Sequence, residues 1–351
     1  MFNFDNLKNH DHTFVIAEAG SNWKCGSFNE DLQCAKELIN VASECGADAV
    51  KFQTFRSETV YVPDAGQSDY LRKSDFNQNI NDIFNDLSMP YEMIPILSKH
   101  AKEKKILFMS TPFSIEDAKH IDPYVELHKI ASYEINHLRL FEFILKTKKP
   151  VIFSTGASDY SQIDFVVNLA KENKNNTIAL LQCTAKYPAP INSLNLLAIS
   201  QIKQKYRFPV GLSDHSIEPL LAPILAIGIG ATIIEKHFTL NKNSPGPDHK
   251  FALEPKELKL MINSIRKADK AKGDGNKIIL DDEYELQQFA ARSLQATKKI
   301  LKGDILKEGF NFDVLRSGSK SRGLDARFLN AVNGKKAIAD IDIGEAISEY
   351  D

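Results

Sequence analysis

Eight times along the chain, a short and nearly continuous apolar run is followed by a turn and then by an amphipathic stretch. The runs are Phe14–Ala17, Ala49–Phe52, Ile106–Met109, Leu127–Ile130, Val151–Phe153, Ala179–Leu181, Val210–Leu212 and Thr232–Ile234. Rich in Val, Ile, Leu and Phe, they read as strands buried on both faces, the habit of a parallel sheet covered by helices. The stretches between them carry apolar residues at three-to-four spacing. In Asn29–Cys45 these are Leu32, Ala35, Leu38, Ile39 and Ala42, with Gly46 as the stop. Tyr91–Lys104, His137–Thr147, Ser161–Asn173, Ser193–Lys205, Pro219–Ile227 and Pro255–Ala271 follow the same rule. The alternation predicts an α/β chain folded as a (β/α)8 TIM barrel, whose usual size is about 250 residues. A doubly wound open sheet has the same periodicity, because spacing does not show whether a sheet closes.

Two regions depart from the alternation. Pro63–Pro90 is polar, with weak helical periodicity in Phe76–Leu87; following the second strand, it would sit on the active face of a barrel, as a lid or as a plain surface excursion. After Ala271 the pattern changes to a glycine-containing break, a charged stretch over Asp281–Gln288, and short strands expected at Ser293–Ala296, Gly303–Leu306 and Lys335–Ile338. The expected organisation is a barrel over 1–271, a linker over 272–288 and a small domain over 289–351. A piece that small buries little and should pack on a barrel, its own or a partner's.

Composition narrows the function. Of 351 residues, 43% are apolar and 26% charged, so a core of ordinary size is available and global disorder is excluded. Lys plus Arg is 44 against 46 Asp plus Glu, which leaves no general basic field for nucleic acid. Cys25, Cys34, Cys45 and Cys183 show no CxxC spacing, so reduced thiols are expected. No run of 18 apolar residues and no leader-like start occurs, and the expectation is a cytoplasmic protein with no membrane partner.

In a barrel the chemistry belongs to the C-terminal strand ends, and polar residues collect there strand after strand. In order they are Glu18–Asn22, Lys51 with Gln53, Ser110–Thr111, Lys129 with Ser132 and Glu134, Ser154–Gly156, Gln182–Pro188, Ser213–His215 and Glu235–His237. Lone polar residues after strands are ordinary turn chemistry; eight sets on one face read as a catalytic mouth. Lys51 and Lys129, with Thr111, Ser132 and Ser154, supply cations and hydroxyl donors suited to a phosphate and a carboxylate. His215 and His237 end adjacent strands, where two imidazoles would suit Mn²⁺, Zn²⁺ or Fe²⁺ better than Mg²⁺ or Ca²⁺. Alternatively each His only hydrogen-bonds a carboxylate such as Asp214. Pro245–Lys250 is a stiff loop holding Asp248 near the mouth, or a simple rigid turn, and Leu315–Gly323 is a flexible basic loop.

As a set, the motifs resemble the sialic acid synthase family, in which a barrel precedes a small antifreeze-like (SAF) domain. They are Ile16–Asn22, Gly46–Thr54, Ser110–Phe113, Lys129–Glu134, Ser154–Gly156, Tyr187–Pro188, Gly211–His215, Glu235–Phe238, Pro245–Asp248, Ala291–Leu294 and Ile300–Asp304, in family order. The resemblance implies an enzyme that condenses phosphoenolpyruvate with an N-acetylated mannose-type sugar, releasing phosphate and forming a nine-carbon 2-keto acid. It implies Mn²⁺, or Mg²⁺ or Co²⁺, on His215 and His237. It places Lys51, Thr111, Lys129, Ser132 and Ser154 around phosphoenolpyruvate, and Gln53, Glu134, Tyr187 and Asp248 around the sugar. Arg316 would reach the sugar's N-acetyl group from the partner subunit of a domain-swapped homodimer, with Phe289 near the junction. Glu18 or Glu134 would move protons.

Two positions depart from the family pattern: Trp23 where His commonly follows Asn, and Ala185 where Asn or Ser is usual. The loop at Pro245–Lys250 looks more like the neuraminate and legionaminate branches than the pseudaminate one, which stays as the alternative. A Schiff-base aldolase using Lys51, Lys129 or Lys236 is the rival enzyme reading. An ice-binding module would leave the polar strand ends unexplained.

Overall fold

Eight parallel strands run through the first part of the chain: β1 (Phe14–Gly20), β2 (Ala49–Thr54), β3 (Leu107–Pro112), β4 (His128–Ile130), β5 (Val151–Ser154), β6 (Ile178–Cys183), β7 (Val210–Asp214) and β8 (Ile233–His237). Their order across the sheet is β3-β2-β1-β8-β7-β6-β5-β4, so every strand neighbours its sequence neighbours and the last pairs with the first. Strands β3 and β4 lie side by side without a ladder between them. This is a (β/α)8 TIM barrel, and the open-sheet alternative falls. The computed structural model describes residues 3–67 and 78–351. They divide into two compact units, Met1–Gly273 and Asp274–Asp351.

The strand period of two sorts the barrel's side chains. Val15, Ala17, Val50, Phe108, Val151, Phe153, Leu180, Leu212 and Ile234 point outward into the layer shared with the helices. Phe14, Ile16, Ala49, Met109, Leu127, Ile152, Ala179, Leu181 and Ile233 fill the interior, which Phe4 and Leu7 of the N-terminal segment join. Helix Phe28–Cys45 shows how locally the elements are specified. A Ser27–Glu30 capping box starts it, and Gly46 at φ 89° ends it in the left-handed conformation.

Helices follow the strands as expected, with differences. Helix Ile115–Ile121, after β3, has only seven residues and two apolar anchors, Ala118 and Ile121, and the periodicity did not expose it. The helix expected from Ser193 begins at Ala198, behind a 3-10 turn at Ile191–Ser193. Within Pro63–Pro90 a short helix, Ile80–Asp86, forms a satellite core with Phe55, Leu87 and Phe113. The part of that insertion over 68–77, and with it Phe76, lies outside the described residues. Trp23 is fully buried in the outer core.

The second unit contains helix Asp281–Ala290 and an antiparallel pair, β9 (Arg292–Ala296) and β10 (Phe312–Arg316). Leu294, Ile300, Leu306, Phe312, Val332, Ala337 and Ile347 form its own core. Gly303–Leu306 and Lys335–Ile338 fall short of regular strands, but they are joined antiparallel at Ile305–Lys336, with Gly303 N–H donating to Ala337 O, Ala337 N–H to Asp304 O and Leu306 N–H to Lys335 O. The strand that pairs with β9 is Phe312–Arg316, where only Phe312 and Val314 alternate.

Candidate active site at the C-terminal strand ends

Continuing the inward alternation one step past the apolar layers brings polar residues to the barrel axis. Above Ile16 stands Glu18, above Ala49 stands Lys51, above Ile152 stands Ser154, and above Ile233 stand Glu235 and His237. Glu18 and His237 are register partners, as are Glu18 and Lys51. The β1–β2 register shifts between Glu18 and Gly20, an irregularity of the kind that re-aims side chains beside active sites.

The ring is wired by charge. Lys51 Nζ lies 2.7 Å from Glu18 Oε2, 3.8 Å from Glu235 Oε1, and donates to Thr111 Oγ1 at 2.9 Å. Lys129 Nζ donates to Ser154 Oγ at 2.8 Å and lies 3.6 Å from Glu235. Both lysines are about as buried as core leucines, at 3% and 2% exposure. Two buried ammonium groups are costly unless paired, and here the partners are carboxylates that a bound dianion could replace. Burial pushes Glu18 up to about 7 against the opposing pull of Lys51. For Lys51, the lowering by burial is outweighed by Glu18 and Glu235, which hold it protonated. Burial lowers Lys129.

Gly20 is the hub of the opposite wall. Its φ is 52°, and a Cβ built there would stand 3.0 Å from Asp248 Oδ2, 3.5 Å from Glu18 Oε1 and 3.6 Å from Gln53 Nε2. Gln53 Nε2 donates to Glu18 Oε1 at 3.1 Å. Burial raises Asp248 to about 6. Gly156 serves the other wall, where its N–H donates to Ser132 Oγ at 3.0 Å and a Cβ would meet Ser132, Ala185 and Cys183 within 3.0 Å. Glu134, in the 3-10 turn Ser132–Glu134, is buried with Oε2 lacking a hydrogen bond, and burial raises it to about 7.

His215 and His237 face each other with ring centroids 5.5 Å apart, and Tyr187 stacks obliquely on His215 at 4.1 Å. His215 Nδ1 meets Thr184 O at 2.9 Å, a bond that in the neutral ring leaves the lone pair on Nε2. The buried Nδ1 of His237 has no hydrogen-bond partner, its nearest acid being Asp248 at 3.7 Å. Burial, then His215 and Lys51, hold His237 well below its ordinary range, hence neutral. His237, neutral and with an orphaned buried nitrogen, fits a divalent cation; on His215 burial works against the proton but Cys183 holds it, so a cation on Nε2 would take that proton's place. No group of three or more His, Cys, Asp or Glu side chains converges among the described residues, so most coordination positions would fall to substrate and water.

The structure thus brings together Glu18, Lys51, Gln53, Thr111, Lys129, Ser132, Glu134, Ser154, Tyr187, His215, His237 and Asp248. Phe289 and Arg316 belong to the second unit, where both are exposed and Arg316 pairs with Arg292 in the β9–β10 ladder. Two residues to which the sequence assigns no role join the ring: Glu235, which links both lysines and accepts from Ser213 at 3.2 Å, and Cys183, 3.8 Å from His215 Nδ1. The period of two through Ile233, Glu235 and His237 carries the signal for the first. It also turns Lys236 outward, away from the axis, which removes it as a Schiff-base candidate. A cleft of about 620 Å³ opens at the other end of the barrel, beside Phe14 and Leu107, but its Asp48 is already held by His12 and Arg266.

The NeuB family model matches residues 38–277. The pseudaminic acid synthase of Campylobacter jejuni subsp. jejuni serotype O:23/36 is 36% identical over 351 residues, covering 99% of this chain and 98% of that one. The N,N'-diacetyllegionaminic acid synthase of Campylobacter jejuni subsp. jejuni serotype O:2 is 37% identical, covering 96% and 99%. Among solved structures, the N-acetylneuraminic acid (sialic acid) synthetase of Leptospira borgpetersenii, in complex with citrate, superposes with a TM-score of 0.69 at 32% identity, covering 79% of this chain and 91% of that one.

Proposed function

Because the chain belongs to the NeuB family of nonulosonic acid synthases, we propose that it joins phosphoenolpyruvate to an N-acetylated mannose-type sugar. Phosphate is released and a nine-carbon 2-keto acid of the neuraminate or legionaminate type is formed. The observation that carries the reading is the inner ring: two buried lysines, each pairing with a hydroxyl donor, beside two facing imidazoles. Such a ring suits a small, highly charged phosphate ester next to a carbonyl. The identities to the pseudaminic and N,N'-diacetyllegionaminic acid synthases above differ by one percentage point, so pseudaminate stays as the alternative and the sugar is a matter of the wall around Gln53, Tyr187, Ala185 and Asp248.

In this reading Lys51, Lys129, Thr111, Ser132 and Ser154 hold the phosphate and carboxylate, displacing Glu18 and Glu235 from the lysines. Gln53, Tyr187 and Asp248 orient the open-chain sugar so that its aldehyde carbon faces C3 of the enol. The C3–aldehyde bond forms as the enol electrons leave C2, and the aldehyde oxygen takes a proton from Glu134, whose raised pKa keeps that proton available. Water adds at C2 and passes its proton to Glu18. The C2–O bond to the phosphate then breaks while the C2 hydroxyl left by water gives its proton to the departing phosphate, which closes the 2-keto group; the lysines and hydroxyl donors stabilise the phosphate as it leaves. His215 and His237 would hold a divalent cation, Mn²⁺ in our reading with Mg²⁺ or Co²⁺ as alternatives; bound there, it supplies Lewis-acid polarisation of the aldehyde.

We take the second unit to be the antifreeze-like domain, delivering Arg316 to the partner's mouth in a domain-swapped homodimer. Ile278, Ile279, Leu280, Tyr284, Leu286 and Phe289 are each at least 49% exposed, an apolar run that calls for a partner surface. No helix among the described residues is long and apolar enough to cross a membrane; reliance on phosphoenolpyruvate favours the cytoplasm.

Phosphate release from phosphoenolpyruvate by metal-stripped protein, with and without Mn²⁺, tests the proposal. N-acetylmannosamine and 2,4-diacetamido-2,4,6-trideoxymannose are the sugars to compare, with products identified by mass. The expected result is phosphate that depends on sugar and metal, together with a nine-carbon keto acid. Borohydride trapping of a lysine adduct, with turnover indifferent to chelators, would instead establish the aldolase.

A further inference from the structure

One fully buried ion pair stands outside the inner ring and does no chemistry there. Lys236 and Asp214 are register partners on β8 and β7, and both point outward between the barrel and its helices, each 1% exposed. Lys236 Nζ meets Asp214 Oδ2 at 2.5 Å, Ser216 O at 2.6 Å, Glu218 O at 3.0 Å and Ser216 Oγ at 3.2 Å. Asp214 also accepts from Ser216 N at 2.8 Å and Ser216 Oγ at 3.1 Å. Apolar residues of similar volume commonly stabilise such a position as well as an ion pair does, so the pair calls for a purpose beyond stability.

Its position supplies one. His215 follows Asp214 directly, and His237 follows Lys236 directly, so the alternation that sends the ion pair outward turns both imidazoles inward. The pair ties the two strand ends together one residue before each ring. The carbonyls of Ser216 and Glu218 extend the grip to the loop that leaves His215. At the other end of the same ladder, Gly211 lies so close to Ile233 that a Cβ would stand 2.2 Å from its carbonyl oxygen. The two strands are therefore pinned at both ends.

We propose that Asp214 and Lys236 are positioning residues, a clamp that sets the spacing of His215 and His237 and thereby the affinity of the two-histidine site for a divalent cation. The inference rests on the reading of those histidines as metal ligands given above.

The test is Mn²⁺ binding to the full-length metal-stripped protein, followed by loss of the free-ion electron paramagnetic resonance signal, with thermal unfolding measured alongside. Lys236→Met should weaken Mn²⁺ binding by about 10- to 100-fold, the range for residues that orient metal ligands, and excess Mn²⁺ should restore much of its turnover. Asp214→Asn, which keeps the shape and an acceptor for Ser216, should weaken it toward the lower end and serves if Lys236→Met does not fold. Asp269→Asn is the control: it breaks a buried carboxylate network with Thr13 and Lys272 elsewhere in the barrel, and should lower stability with Mn²⁺ affinity unchanged. Folded Lys236→Met or Asp214→Asn protein with wild-type affinity, where His215→Ala and His237→Ala have lost binding, would overturn the clamp alone. Wild-type affinity in the two histidine variants would overturn the metal reading, and the clamp with it.

Discussion

Gly20→Ala separates backbone strain from damage to the site. At φ 52° any Cβ incurs the left-handed penalty, about 1–2 kcal/mol. Here the Cβ would also press on Asp248 at 3.0 Å, with Glu18 and Gln53 just beyond, and overpacking adds about 1–3 kcal/mol. Gly46→Ala isolates the first effect: its φ is 89°, but its Cβ would meet only Ile262 Cγ2, at an ordinary 3.7 Å. Thermal unfolding should therefore fall by about 2–8 °C for Gly46→Ala and by more for Gly20→Ala, at about 2–4 °C per kcal/mol. The kinetic contrast is sharper. Displacing one charged contact to substrate costs about 1.5–3 kcal/mol, so kcat/KM should drop roughly 10- to 100-fold in Gly20→Ala and stay at the wild-type value in Gly46→Ala. Equal stability loss in the two variants, with kcat/KM intact in both, would refute the convergence of Asp248, Glu18 and Gln53 over Gly20 as a feature of the working site.

Glu134→Gln should trade activity for stability. Its carboxyl titrates at about 7 in the fold against about 4.5 unfolded, so the native state holds the proton more tightly and stability falls as pH rises from 4.5 to 7. The variant should be more stable than wild type at pH 8, by about 3 kcal/mol, no more stable near pH 4, and slower in the step that joins the sugar aldehyde to phosphoenolpyruvate. Asp122 runs the other way: hydrogen bonding to His128, opposed by burial and aided by Lys149, holds it at about 2. Its contribution should be complete above pH 4 and fade as pH falls toward 2, so the gap in unfolding temperature between wild type and Asp122→Asn should close over that window. Arg316→Ala should lower kcat/KM for the sugar roughly 10- to 100-fold with the unfolding temperature unchanged, since the side chain is exposed; unchanged kinetics would remove Arg316 from the sugar site.

The barrel was legible because strands buried on both faces need long runs of Val, Ile and Leu, and polar groups break those runs mainly at the C-terminal strand ends. Glu18, Lys51 and His237 could therefore be seen as interruptions at the ends of apolar runs. Glu235 is the same kind of interruption, but beside Lys236 and His237 it reads as one of three polar residues until the alternation is applied. Trp23 stood out as a departure from the family pattern, yet it is packed in the outer core, because a residue type alone does not show which layer it enters. Helix Ile115–Ile121 and strand Phe312–Arg316 escaped notice for a shared reason: elements of seven and five residues contain too few apolar positions to display a period. In the second unit, turns and single bridges do most of the joining, and hydrophobic spacing says little about such backbone.

The unladdered seam between β3 and β4 has a consequence for how the barrel assembles. Neighbouring strands elsewhere are also neighbours in sequence, except at the β8–β1 ladder, which closes a span of roughly 220 residues. That long closure is fully hydrogen-bonded, whereas the seam between sequence neighbours is not. A chain rearranged to begin at β4 and end at β3, with the old ends of the barrel unit joined, would lay down all eight strands in the order in which they sit, with every ladder local. The β8–β1 contacts would become local while the fewer β3–β4 contacts would become distant, so contact order would fall on balance, and by the link between topology and speed the chain should fold faster than the natural connection allows.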